Sequence, residues 1–99
     1  MVKHLVLFKL KDAASADSKL EAARHFKEAI EALPAVIPSI RRIEVGLNIN
    51  EAESWSIALY SEFDSLADVK AYAVHPAHVA AGKLLAEVRE SRACVDYEV

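Results

Sequence analysis

The first ten residues carry a two-residue rhythm. Val2, His4, Val6, Phe8 and Leu10 fall on one side, and Lys3, Leu5, Leu7 and Lys9 on the other. That period, with β-branched and aromatic residues, predicts a strand. Leu5 and Leu7 make its middle apolar on both sides, so it needs cover on both faces. After a polar connection, Lys11 to Asp17, the rhythm changes. Leu20, Ala23, Phe26, Ile30 and Leu33 recur at intervals of three and four, which predicts an amphipathic helix over about 18–33. Ser18 and Glu21 fit a capping box at its start. Pro34 and Pro38 bracket its end, with an irregular turn from Ala35 to Ser39.

Ile43, Val45, Leu47 and Ile49 return to period two and predict a strand over 40–49, with Gly46 marking a bulge or a close approach. The polar stretch Asn48 to Ser54 turns the chain. Trp55, Ile57, Leu59 and Phe63 then alternate with Ser56, Ala58, Tyr60 and Glu62, a third strand forming an antiparallel hairpin with the second. Asp64 or Ser65 caps the next helix, Asp68 suits its first turn, and Leu66, Val69, Tyr72 and Ala73 form its buried side. Pro76 disfavours the α conformation at His75, so this helix stops near Val74 and another begins at Pro76, its apolar stripe running to about Arg89. Residues 91–99 alternate as a last strand, Ala93, Val95, Tyr97 and Val99 against Cys94, Asp96 and Glu98.

The order β-α-β-β-α-β predicts an α+β, ferredoxin-like domain over 1–99, a four-stranded antiparallel sheet with its helices on one face. Helices cover one side only. The apolar residues on both faces of strands one and three therefore predict a second copy on the other, a homodimer closing into an α+β barrel.

With 54% apolar residues, the composition favours a folded chain. A net charge of −3 and a pI near 5.8 give no attraction to nucleic acid or anionic membrane. No apolar run approaches the ~20 residues that span a bilayer. Met1-Val-Lys-His-Leu lacks the pattern of a signal peptide, and the one cysteine, Cys94, forms no internal disulfide, so a reducing cytoplasm is the expected compartment.

Candidate chemistry gathers at the proline break. Tyr72, His75 and His78 lie within seven residues, and the helix start disfavours an imidazolium there. His78 reads either as a general base or as a packing residue bonded to a backbone carbonyl. His75 suits a cap for the following helix, and Tyr72 suits core or interface packing. His4, inward on the first strand, either donates into a cavity or plugs it, and His25 belongs with the charged face of its helix. The pair His75 and His78 has no third metal ligand nearby in sequence, so transition-metal binding is not expected of it. Cys94 reads as a packing residue. A copper chaperone would need two cysteines, and an RNA-binding sheet would need exposed aromatics with basic flanks.

Four segments carry a resemblance: Val2-Lys-His-Leu-Val-Leu-Phe-Lys-Leu-Lys11, Phe63-Asp-Ser-Leu-Ala-Asp-Val-Lys-Ala-Tyr72, His75-Pro-Ala-His78 and Val95-Asp-Tyr97. In this order, over nearly the whole chain, they resemble the stress-responsive dimeric α+β barrel domain, whose members include heat-stable, stress-induced plant proteins and a plant polyketide cyclase. The resemblance implies a homodimer that binds a small apolar ligand or supports stress tolerance. Alternatively, it implies a cofactor-independent cyclase or lyase acting on a carbonyl substrate, with His78 as base and Tyr72 orienting the carbonyl. His4, His75 and Ile30 would then meet the substrate, Ile30 standing where the cyclase places an aromatic residue. It also implies, for certain plant members, a magnesium ion held by backbone carbonyls matching Pro34, Ile37 and Ile40. Otherwise no cofactor is expected.

Overall fold

In a computed structural model describing residues 1–99, the opening rhythm becomes β1 (Val2–Leu10), and the next amphipathic run becomes α1 (Ala16–Glu31). A short 3₁₀ turn at Leu33–Ala35 leads to β2 (Arg42–Leu47) and β3 (Ile57–Phe63). Two helices, α2 (Leu66–Val74) and α3 (Pro76–Lys83), precede β4 (Arg89–Glu98). The sheet order is β2-β3-β1-β4 with all neighbours antiparallel, the ferredoxin-like arrangement.

The helices cover one face. Under them lie Val6, Phe8, Leu59 and Phe63 of the sheet, packed with Phe26 and Ile30 of α1, Val69 and Tyr72 of α2, and Leu85. Phe8 and Phe26 meet edge to face at 5.3 Å between centroids. Lys27 Nζ donates to Glu31 and to the Val45 carbonyl, while the Glu31 carboxylate accepts from the Val45 N–H, fixing α1 on β2. Arg41 forms a bidentate pair with Asp64, tying the chain before β2 to the chain before α2.

Several boundaries differ from the sequence reading, each for a local reason. Ser15, not Ser18, caps α1. Its extended backbone lets Oγ accept from the Ser18 N–H at 3.1 Å, which leaves Glu21 one turn too far for a capping box. Strand β2 is shorter than 40–49, and Trp55 stands outside β3, half-buried. The last helix ends at Lys83 rather than near Arg89. From there the N–H groups of Leu84, Leu85, Ala86 and Val88 each bond three residues back, a tighter winding that sets Leu85 and Val88 into the core. Strand β4 starts two residues early, at Arg89, because Leu10 pairs with Arg89 past an irregularity at Lys9 and Leu10, and the Lys11 N–H reaches the Val88 carbonyl. Ser65 caps α2, its Oγ accepting from the Asp68 N–H. Ser65→Ala is expected to cost about 1 kcal/mol, read as a lower urea midpoint at unchanged slope and fixed protein concentration.

The opposite face has no helix. Leu5 and Leu7 of β1, Ala58 and Tyr60 of β3, and Ala93, Val95 and Tyr97 of β4 share it, with Val95 half-exposed at 51%. Lys3, Lys9, Arg42, Glu44 and Glu62 surround this apolar centre, and Lys3 and Arg42 each sit 5.8 Å from the Tyr60 ring centroid. An apolar centre inside a charged margin is the composition of a protein–protein interface. No helix is long and apolar enough to cross a membrane.

Candidate active site

The proline break builds the centre of the site. At His75 the backbone leaves the helical region (φ −63°, ψ 134°), and its N–H still donates to the Tyr72 carbonyl. Its Nδ1 accepts from the Ala77 N–H at 3.1 Å, so His75 is the N-cap of α3 and spends that nitrogen on the backbone. Pro76 begins α3, and one turn later the His78 ring folds back over α2. His78 Nδ1 lies 3.0 Å from the Ala73 carbonyl. A carbonyl only accepts, so Nδ1 carries the proton, and Nε2 of the neutral ring holds a free lone pair. Burial holds the His78 pKa below the ordinary imidazole value. The Ala73 carbonyl opposes this shift, and His4, Arg92 and His75 reinforce it.

Tyr72 is 1% exposed, its ring enclosed by Phe63 at 5.1 Å, His4 at 5.9 Å and His78 at 4.3 Å between centroids. Its hydroxyl is buried and has no hydrogen-bond partner in the chain. Burial drives its pKa far above the usual phenol range, so it stays a protonated donor. An orphaned buried hydroxyl costs about 1–3 kcal/mol.

His4 enters from β1, opposite Asp96 on β4 and Ser61 on β3. It is 5% exposed, and its Nδ1 hydrogen-bonds the Asp96 carboxylate. Cys94 Sγ lies 3.7 Å from the same nitrogen. Sequence reasoning passed over Asp96 and took Cys94 as packing. In the fold Cys94 is exposed, because the helices do not extend over the β4 edge, and its neighbour is a histidine 90 positions away. The alternation of β4 puts Cys94 and Asp96 on the helix side; what it lacks is the register that sets them beside His4. Burial and the Asp96 carboxylate raise the Cys94 pKa, with Arg92 opposing.

The remaining candidates stand apart. Ile30 has no exposed surface and lies wholly within the core, so a ligand reaches it only if the core opens. His25 is exposed on α1. The Ile37 carbonyl already accepts from the Ile40 N–H, and Pro34, Ile37 and Ile40 would offer only neutral carbonyls, a poor set for a hard dication that favours carboxylates. A cleft of about 510 Å³ near Leu7, Trp55 and the β2–β3 connection, and a groove of about 170 Å³ along Leu5, Leu7 and Val95, reach neither Tyr72 nor His78.

If Nε2 acts as a base, protonation at low pH removes it. Activity dependent on His78 is expected to persist at neutral pH and fall away only below 6.5, the ordinary imidazole value. Tyr72 should add no basic limb near 10.0, its unshifted value. A kcat/KM profile checks both, and an acidic inflection at or above 6.5 would count against a desolvated base.

These features define a ferredoxin-like α+β protein whose ionisable groups meet at the seam between a helix break and an inner strand. The chain belongs to the Stress Responsive A/B Barrel Domain (Dabb) family, whose model matches residues 2–99. A solved dimeric, ferredoxin-like protein from Bacteroides fragilis is 68% identical with a TM-score of 0.98, over 99% of this chain and 95% of that one. Protein SCO4036 of Streptomyces coelicolor is 37% identical over 81% of each chain. Olivetolic acid cyclase of Cannabis sativa is 26% identical over 97% of this chain and 94% of its own.

Proposed function

We propose that this chain works as a homodimer and that its Tyr72–His78–His4 site removes a proton from carbon next to a carbonyl, leading to an intramolecular aldol-type ring closure without a cofactor. The observation that carries this reading is the pairing of a fixed, unprotonated Nε2 on His78 with a buried Tyr72 hydroxyl that has no partner of its own. Carbon-acid chemistry needs a base near neutrality and a donor for the developing enolate. In the step, His78 Nε2 takes the α-proton and the C–H electron pair delocalises onto the carbonyl oxygen, held by the Tyr72 O–H. The enolate carbon then bonds to a second carbonyl carbon of the same molecule, and the proton on Nε2 passes to the new alkoxide. The His4–Asp96 pair holds the strand imidazole against the Tyr72 ring. Side chains fill the space around Tyr72, so its hydroxyl meets a substrate only when this packing opens, and no long alkyl tail is accommodated.

The dimer follows from the uncovered apolar face of the sheet and is supported by the dimeric description of the Bacteroides fragilis protein. The olivetolic acid cyclase relative supports a ring-closing reaction. A panel of short poly-β-carbonyl compounds and aldehydes, incubated with wild type and His78→Ala, tests the reaction. Turnover by wild type alone is expected; equal turnover by both would end it.

The closed packing around Tyr72 favours a second reading, a stress-tolerance dimer that binds a small apolar ligand without turning it over. It predicts no turnover by either protein and a melting temperature raised by small apolar compounds.

A further inference from the structure

His4, Cys94 and Asp96 stand outside the proton-transfer pair, and their chemistry differs from it. A hydrolytic triad is excluded by geometry. Cys94 Sγ and the Asp96 carboxylate both address Nδ1 of His4, whereas a relay needs them on opposite ring nitrogens. Converging on one point is what a metal requires. Each residue offers one ligand atom, and all three atoms lie within 4.8 Å of one another. Around tetrahedral zinc, ligand bonds of about 2.0–2.3 Å place a sulfur and a nitrogen roughly 3.6 Å apart, and Sγ and Nδ1 are separated by 3.7 Å.

We propose that His4 Nδ1, Cys94 Sγ and an Asp96 carboxylate oxygen form a three-ligand site for a borderline-soft divalent cation, zinc foremost. The fold sets the spacing. Cys94 and Asp96 are alternate residues on one side of β4, and His4 opposes Asp96 across the β1–β4 ladder. The histidine comes from the buried side and the other two from the exposed strand edge, so the ion has a rigid anchor and an open path. Binding replaces the Nδ1 proton and the thiol proton with the metal, and the His4–Asp96 hydrogen bond opens to admit it. Three protein ligands leave the fourth position for water or a small anion, the pattern of open zinc sites. The site shares His4 with the proposed active site, but its test reads metal binding and not turnover, so the two readings fail separately.

Cobalt(II) reports the site, because a thiolate ligand gives a sulfur-to-cobalt charge-transfer band. The reduced, full-length protein is titrated with cobalt, and zinc is then added in competition. The expected result is one cobalt per chain, a charge-transfer band with tetrahedral visible absorption, and displacement by zinc. Cys94→Ser should abolish the band, and Asp96→Asn should weaken binding by at least the ~10–100-fold that loss of an outer-shell partner costs. Both positions are exposed, so both variants should fold, which circular dichroism verifies. No band at saturating cobalt would overturn the proposal. So would a band of unchanged affinity in Asp96→Asn, since the thiolate would then be binding without the cluster.

Discussion

Leu7→Glu is expected to leave this protein as a single, largely unfolded chain. Leu7 lies mid-sheet on the face without helices, between Ala58 of β3 and Ala93 of β4. In a protomer alone a glutamate there would meet water, but the rest of the apolar face would lose its cover, and an obligate dimer often has no stable folded monomer. Against a second sheet it would be buried without a partner, at a cost of several kcal/mol in each of two copies. A net stability of about 5–15 kcal/mol leaves little margin for that. Sedimentation should shift from a species of twice 10.9 kDa to one of 10.9 kDa, with loss of the cooperative thermal transition. Glu44→Lys, exposed at the margin, should change stability by no more than ~0.5 kcal/mol. A dimer of unchanged melting temperature in Leu7→Glu would mean that this face is not the interface.

The second large effect falls on chemistry. His78→Ala removes the proposed general base and is expected to lower kcat/KM by about 10²–10⁴. His78 is part-exposed at the start of α3, so the fold should survive. Tyr72→Phe separates the two roles of its residue. It keeps the ring against Phe63, His4 and His78 while removing a hydroxyl that is desolvated without recompense. Activity should fall while stability rises, by up to about 1–3 kcal/mol, the cost of an unsatisfied buried group. A structural tyrosine would give the opposite pair: unchanged activity and lower stability. Denaturant midpoints measured beside turnover distinguish the two.

The fold was legible because each element wrote its period into the chain. The alternation of β1 gave its inner face from Val2 to Leu10, residue for residue, as the structure has it. The Pro76 break was legible for the same kind of reason, since proline restricts both itself and His75. The start of α1 and the end of α3 were not. Choosing between Ser15 and Ser18 depends on which serine is extended, and both precede suitable partners. At the site, Tyr72, His75 and His78 are local and announced themselves. Asp96 and Cys94 did not, because their neighbour His4 is at the other end of the chain and only the β1–β4 register joins them.

Proton exchange at carbon tests the proposed chemistry without waiting for a natural substrate. A short β-dicarbonyl compound is incubated with the protein in deuterium oxide, and loss of its α-proton signal is followed by NMR, with the buffer rate subtracted. Wild type is expected to accelerate exchange, His78→Ala to return it to the buffer rate, and Tyr72→Phe to fall between. Exchange at the buffer rate with wild type, or acceleration that survives the loss of His78, would contradict His78 as the base.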